Sequence, residues 1–206
     1  MYMNSILSFL QQSLVLTKMQ RRHKRHLGNS DDSIAEHTYH ASLIAYCLCR
    51  MEGLNHEQGL KAMGMTLIHD VAEVRTADHG FVEKHYVEIN EDKANKDTFL
   101  KMDFGKDLFD LNAEFEAKET QIAKIVKDAD SLQQIFLEWD LMWQGNLIAK
   151  KWFESDFKDR VPGLRTESAK KIAESLKTSN PNEWWWSELV DEDDRAKDIS
   201  KLLGKK

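Results

Sequence analysis

The chain has 206 residues, a formal net charge of −6 and 2 cysteines, Cys47 and Cys49. That length suits one domain with a sizeable core. The acid excess excludes a global basic field for nucleic acid, so a nucleic-acid partner is not expected, and so few cysteines exclude a disulfide scaffold and fit a reducing, cytoplasmic setting. With 2 prolines and 9 glycines among abundant Leu, Ala, Glu, Lys and Gln, the composition predicts an all-α protein.

Residues 4–20 are predicted as an amphipathic helix with Ile6, Leu10 and Leu14 on one side. Gln11 and Gln12 break its apolar run and it lacks the flanks of a signal peptide. No run reaches the roughly 18 apolar residues of a membrane span, so no membrane partner is expected. Residues 18–26 form the most basic stretch. It reads either as a solvated turn or as a phosphate-binding segment, because the guanidinium fork matches phosphate oxygens. A loop over Gly28–Asp32 follows. Ser33-Ile34-Ala35-Glu36 is a capping box. The helix it opens carries the stripe Ile34, His37, Ala41, Ile44, Leu48, Met51 and stops at Gly53. His37 thus faces the core, a position more often held by a satisfied histidine than by a ligand unless a second acid–imidazole cluster meets it.

Asn55-His56-Glu57-Gln58 opens the next helix, with Leu60, Met63, Leu67 and Val71 marking its buried side. Near its C-terminal end stands Ile68-His69-Asp70-Val71-Ala72-Glu73. Residues three and four apart share a helix face, which lays Glu73 over His69 and Asp70. Three ionisable groups in an apolar segment cost several kcal/mol each, roughly, if buried unpaired; a divalent cation removes that cost. Arg75–Gly80 reads as a loop in which Asp78 either reaches the same point or simply forms the turn, and the sequence does not choose between the two. Residues 81–112 are predicted as short helices with mobile connections and no chemistry. Helical periodicity resumes near Glu114 and runs to Trp143 through Ile122, Ile125, Val126, Ala129, Leu132, Phe136 and Trp139. Asp128 and Asp130 flank this stripe. Periodicity does not choose between them, though Asp128 lies slightly closer to it. A further helix covers Thr166–Leu176. Trp184-Trp185-Trp186 reads as a clasp over the bundle or a dimer contact. Residues 1–190 are expected to form one domain, and 191–206 a charged tail.

Two imidazoles and two carboxylates from separate helices suit a borderline divalent metal with open positions. The order H…HD…D resembles the HD-domain metal-dependent phosphohydrolases, and within them the small 5′-deoxynucleotidase group. The resembling residues are Ser33-Ile34-Ala35-Glu36-His37, Ile68-His69-Asp70-Val71-Ala72-Glu73-Val74 with Asp78, and Ile125-Val126-Lys127-Asp128-Ala129-Asp130. The resemblance implies an HD-domain helical bundle around one buried divalent ion (Mn, Co, Mg, Zn or Fe), and a homodimer. Its register makes His37, His69, Asp70 and Asp130 the ligands. It implies that Glu73 acts on the attacking water and that Arg22, fifteen residues before His37, contacts the substrate phosphate. Asp78 joins the substrate-binding set. Where deoxynucleotidase members carry a tryptophan after that arginine, this chain has His23. An imidazole is smaller and can hydrogen-bond to a 2′-hydroxyl, so discrimination between deoxyribo- and ribonucleotides is expected to be weaker.

The expected activity is release of phosphate from (deoxy)nucleoside 5′-monophosphates by attack of a metal-activated water. The protein would then be a phosphoric monoester hydrolase with a small nucleotide as its partner. The alternatives are action on nucleoside di- or triphosphates or another phosphoester, and a catalytically silent helical binding protein.

Overall fold

The structure is a computed structural model that describes residues 2–28 and 32–189, together with Lys201 and Gly204. The described chain is helical throughout: α1 Tyr2–Leu16, α2 Lys24–Leu27, α3 Ile34–Met51, α4 His56–Ile68, α5 Glu73–Thr76, α6 Glu91–Phe99, α7 Gly105–Ala117, α8 Gln121–Trp143, α9 Leu147–Asp159, α10 Glu167–Leu176 and α11 Glu183–Leu189. Short 3₁₀ turns at Glu83–His85 and Val161–Gly163 join them. The expected all-α bundle is what the chain forms. Most of the tail beyond residue 190 and part of the 28–32 loop lie outside the described residues.

Both capping boxes form. Ser33 Oγ accepts the Glu36 N–H at 3.2 Å, and Glu36 Oε2 accepts the Ser33 N–H at 2.7 Å. Asn55 and Gln58 exchange the same pair of bonds at 2.9 Å. Such caps satisfy amide groups that a helix start leaves unpaired. Gly53 stops α3 with φ of +81°, a conformation that favours glycine.

α8 runs through the middle of the bundle, with α3, α4, α7, α9 and α10 packed around it. Its Ile122, Ile125, Val126, Ala129, Leu132 and Ile135 meet Ile44, Leu48 and Met65 in the main core. The α3 stripe is buried as expected except at its end, where Met51 is exposed. The expected face of α4 is not the buried one. Gly59, Ala62, Met65 and Thr66 point inward, whereas Leu60 and Leu67 are exposed. At Gly59 the cause is closeness: a Cβ there would stand 2.8 Å from the Tyr46 ring of α3.

On α1 the inward residues are Leu16 and the half-buried Phe9, which packs on Phe99 with ring centroids 6.0 Å apart. Leu10 and Leu14 of the expected stripe are more than half exposed, at 53% and 58%. The segment from 114 to 143 is two helices, since Lys118 takes a left-handed φ of +55° and Thr120 caps α8 anew. Trp184 and Trp186 face solvent, so the described structure holds no tryptophan clasp over the bundle.

Between α8 and α9 lies a buried acid pair. Glu138 is 1% and Asp156 7% exposed. Glu138 Oε1 accepts the Gln134 side-chain amide at 2.8 Å, and Arg160 Nε stands 3.0 Å from Asp156 Oδ2. Burial, and then the charge of Asp156, push the Glu138 carboxyl up to about 8; burial also raises Asp156. An unfolded glutamate ionises at about 4.3, so the unfolded chain releases this proton first as pH rises. The stability tied to Glu138 is complete below that value and is lost as pH climbs toward about 8. The Glu138→Gln variant should therefore lose much less stability than wild type between about pH 5 and pH 8. Denaturant titrations at the two pH values read the difference, and equal pH dependence in both proteins would exclude this role for Glu138.

Candidate metal centre and substrate cleft

The site begins where the N-terminal segment is pinned to the start of α3. Arg21 N donates to Asp32 O and Ile34 N to Met19 O, both at 2.9 Å, around an isolated Gln20–Ser33 bridge. One turn into α3 stands His37, fully buried. Its Nδ1 bonds Gln133 Oε1 of α8 at 2.6 Å, which places the ring proton on Nδ1 and leaves the Nε2 lone pair free. That buried Nε2 has no hydrogen-bond partner. His69 is set in the same way. Its Nδ1 stands 2.6 Å from Thr66 O, a carbonyl that can only accept, so its Nε2 also presents a lone pair.

His69 and Asp70 lie just past the end of α4, not inside a continuous helix. The backbone tightens there, with Val71 N donating to Ile68 O and Glu73 N to Asp70 O, before α5 starts at Glu73. The histidine–aspartate pair is thus displayed at a helix end.

The two lone pairs converge. Asp70 Oδ2 lies 3.2 Å from His69 Nε2 and 3.6 Å from His37 Nε2. The ligand atoms of His37, His69 and Asp70 all fall within 4.8 Å of one another. Asp130 reaches the same point, its Oδ1 3.2 Å from His37 Nε2 and 3.9 Å from His69 Nε2. Burial opposes ionisation of Asp130, but nearby positive charge, with the Lys127 ammonium 2.6 Å from its Oδ2, outweighs it and holds the carboxyl well below the usual range. Asp128 does something else. Fully buried, it accepts the backbone N–H of Arg165 and Thr166 and the Thr166 hydroxyl, fastening α10 to α8.

Glu73 lines the hollow beside His69 and Asp70, and its Oε2 is buried without a partner. Burial, followed by the charges of Asp70 and Asp78, pushes its carboxyl up to about 9; Arg21 and Lys84 act in the other direction. Buried acids crowded beside two unprotonated imidazole nitrogens are what a divalent cation relieves. The donors therefore fit such an ion: His37, His69 and Asp70 lie close enough together to share one, and Asp130 stands beside them. Second bonds at each histidine's Nδ1 orient the ring, as outer partners of metal-bound imidazoles do.

A cleft of about 540 Å³ opens from Asp130. Arg21, Arg22, His23, Asp78, Lys84 and Lys127 line the end near the ligands. Arg21 is the arginine aimed at the cluster, with Nη1 3.6 Å from Asp70 Oδ2 and Nε 3.7 Å from Asp78 Oδ2. Arg22 is more exposed and its Nε donates to Glu83 Oε1 at 2.8 Å. Its own backbone N–H is held by Asp78 Oδ2 at 2.6 Å. His23 lines the cleft but turns Nε2 toward Asp32 Oδ2 at 3.2 Å.

Sequence reading left out Arg21, Lys84, Lys127 and Gln133. Arg21 sits beside Arg22 in a stretch without periodicity, so nothing ranked one above the other. Lys84 lies in the 81–112 segment, where no chemistry was expected. Gln133 could have been found as the α8 residue three beyond Asp130, on the side where α3 packs.

The HD domain family model matches residues 15–173. This chain belongs to the HD-domain family. The family match and a hydrolytic relative together support an HD-domain phosphohydrolase. The HD-domain chain is 28% identical over 142 residues to a 5′-deoxynucleotidase of Dictyostelium discoideum, covering 64% of this chain and 74% of that protein. A structural-genomics crystal structure superposes with a TM-score of 0.71 at 26% identity, covering 88% of this chain and 99% of the other. A predicted metal-dependent phosphohydrolase of Magnetospirillum magnetotacticum gives 0.65 at 21% identity, over 85% and 91% of the two chains, and shares the fold.

The two aspartates of α8 should separate cleanly. Asp128→Ala strands the Arg165 and Thr166 amides and should cost roughly 3 kcal/mol or more of stability. Asp130→Ala should lose bound metal with a smaller change in stability. Elemental analysis and urea titration of the two variants read this. Full metal in Asp130→Ala with loss in Asp128→Ala would reverse the assignment.

Proposed function

We propose that this protein hydrolyses (deoxy)nucleoside 5′-monophosphates to nucleoside and phosphate. One observation carries the reading: four ligand side chains converge at the mouth of a mononucleotide-sized cleft whose near end is lined by Arg21, Arg22, Lys84 and Lys127. Dianionic phosphate fits between those cations and a divalent ion. The 28% identical deoxynucleotidase supports the same substrate class.

A divalent ion held by His37, His69, Asp70 and Asp130 supplies the charge that makes water acidic and polarises a phosphoryl group. The protein's own groups do the rest. Arg21 and Lys84 bind the phosphoryl oxygens, and Lys127 balances Asp130 through a 2.6 Å bond. Burial and the charges of Asp70 and Asp78 hold Glu73 protonated, and the charge of the divalent ion would offset them. Glu73 would then accept the proton of the attacking water as the water oxygen bonds to phosphorus; the P–O5′ bond breaks, the departing O5′ takes up one proton from solvent, and Glu73 returns its own to solvent. Asp78 orders the basic segment through Arg22 N and Arg21. His23, tied to Asp32, leaves a small side chain beside the sugar, which favours tolerance of a 2′-hydroxyl.

Glu73→Gln should keep the ion and lose roughly 10²–10⁴-fold in kcat. The assay is phosphate release from a panel of mono-, di- and triphosphates, with matched pairs such as dAMP and AMP. Unaltered turnover in Glu73→Gln would take it out of the reaction, and turnover confined to di- or triphosphates would move the activity to another HD substrate. Arg21→Ala should raise KM for monophosphates more than Arg22→Ala, because only Arg21 is aimed at the ligand cluster; the opposite order returns the phosphate contact to Arg22. A homodimer belongs to the same reading, supported by the exposed Met3, Leu7, Leu10 and Leu14 along α1. Light scattering should give twice the chain mass for wild type and a monomer for Leu10→Glu; a monomeric wild type ends that proposal. The free cysteines, Cys47 and Cys49, support a cytoplasmic setting.

A further inference from the structure

The far end of the cleft is built by residues that take no part in holding the ion or the phosphate. α8 carries the wall from Asp130 to Gln134, one turn further on, and α9 supplies Trp152 and Arg160 from its body and its end. We propose that this end is a nucleobase subsite selective for a 6-oxopurine, guanine above all. The proposal rests on the nucleotide reading above and deepens it by naming the base.

Trp152 provides the stacking face. Its indole is half-buried against Leu27, Leu141 and Ala149. The His26 ring lies 6.1 Å away at 51°. Asn146 Nδ2 donates to Leu27 O at 2.7 Å, tying α2 to the start of α9 and fixing both rings. A rigid indole offers a bicyclic base more overlap than a monocyclic one.

The polar groups read the edge. Gln134 spends one of its two amide N–H groups on Glu138 Oε1, which orients the side chain and leaves its oxygen to accept from a ligand. Arg160 is gripped at Nε by Asp156, 3.0 Å away, which leaves the two η nitrogens as donors. Beneath them, the buried Glu138–Asp156 pair keeps both side chains in place. The cleft thus offers a double donor and an acceptor. Guanine presents N7 and O6 as adjacent acceptors, the pair that arginine recognises with two bonds, and next to them the N1–H donor. Adenine puts an amino group where O6 would be, so it meets the Arg160 fork donor to donor. Arg160 is 39% exposed, so the discrimination lies in its fork meeting two acceptors on guanine and an acceptor beside a donor on adenine.

The test uses nucleosides first, since they carry no phosphate and read the base end alone. Calorimetry with millimolar deoxyguanosine and deoxyadenosine on the full chain should show at least tenfold tighter binding of deoxyguanosine. Trp152→Ala should weaken it roughly 5- to 100-fold. Arg160→Lys keeps the charge facing Asp156 but loses the fork, and should bring the two affinities together. The ratio of kcat/KM for dGMP over dAMP should follow the same order. Equal binding of the two nucleosides by wild type, no binding of either, or a preference that survives both Trp152→Ala and Arg160→Lys overturns the subsite. If deoxyguanosine binds as expected while no 5′-monophosphate releases phosphate, the subsite stands and the hydrolytic reading falls. If dGMP and dAMP are hydrolysed equally well, the hydrolytic reading stands and the subsite falls.

Discussion

The arrangement depends on two hydrogen bonds that face away from the centre they organise. Gln133 Oε1 accepts the Nδ1–H of His37, and the Thr66 carbonyl accepts that of His69. Each bond fixes a tautomer and a ring angle, and so decides where a lone pair points. Without them the imidazoles could rotate or donate into Asp70 and Asp130, and the four side chains would form a salt-bridge cluster with its charges already spent. Thr66 gains its geometry from the end of α4 and Gln133 from the packing of α8 on α3. The helix bundle is therefore the device that aims the two Nε2 atoms at one point.

The two aspartates of α8 show how one short segment serves two purposes. Asp128 and Asp130 are two residues apart, roughly 200° around a helix, so they face different neighbours. Asp128 turns to α10 and spends its oxygens on backbone amides. Asp130 turns to α3 and α4 and keeps Oδ1 for the ligand cluster. Burial alone would have ranked them wrongly, since Asp128 is the more buried of the two.

Much of this was legible in the residues. The capping boxes at Ser33 and Asn55, the stop at Gly53 and the His37 stripe are local features, and local chemistry decides them. The His69-Asp70 pair was visible because charges in an apolar run need a reason. What escaped were choices made by packing partners. α1 and α4 carry apolar residues on more than one face, so a periodic pattern could be drawn through Leu10 and Leu14, or Leu60 and Leu67, when Phe9 and Gly59 mark the true contacts. Arg21 and Lys84 sit in segments without a period, where only tertiary structure says which side chain turns inward. Trp152, on a helix with no motif of its own, gave no signal that it would border a cleft.

The ligand residues sit on α3, at the end of α4 and on α8, far apart along the chain. A cation seated among them acts as a cross-link between segments that the unfolded chain has no reason to bring together. Whatever binds the folded form alone adds to its stability by mass action, about 2.7 kcal/mol when free ligand exceeds its dissociation constant a hundredfold. A centre proposed for turnover would thus also be a staple. A chelator should soften the whole bundle, loosening first the pinned N-terminal segment whose Arg21 leans on Asp70.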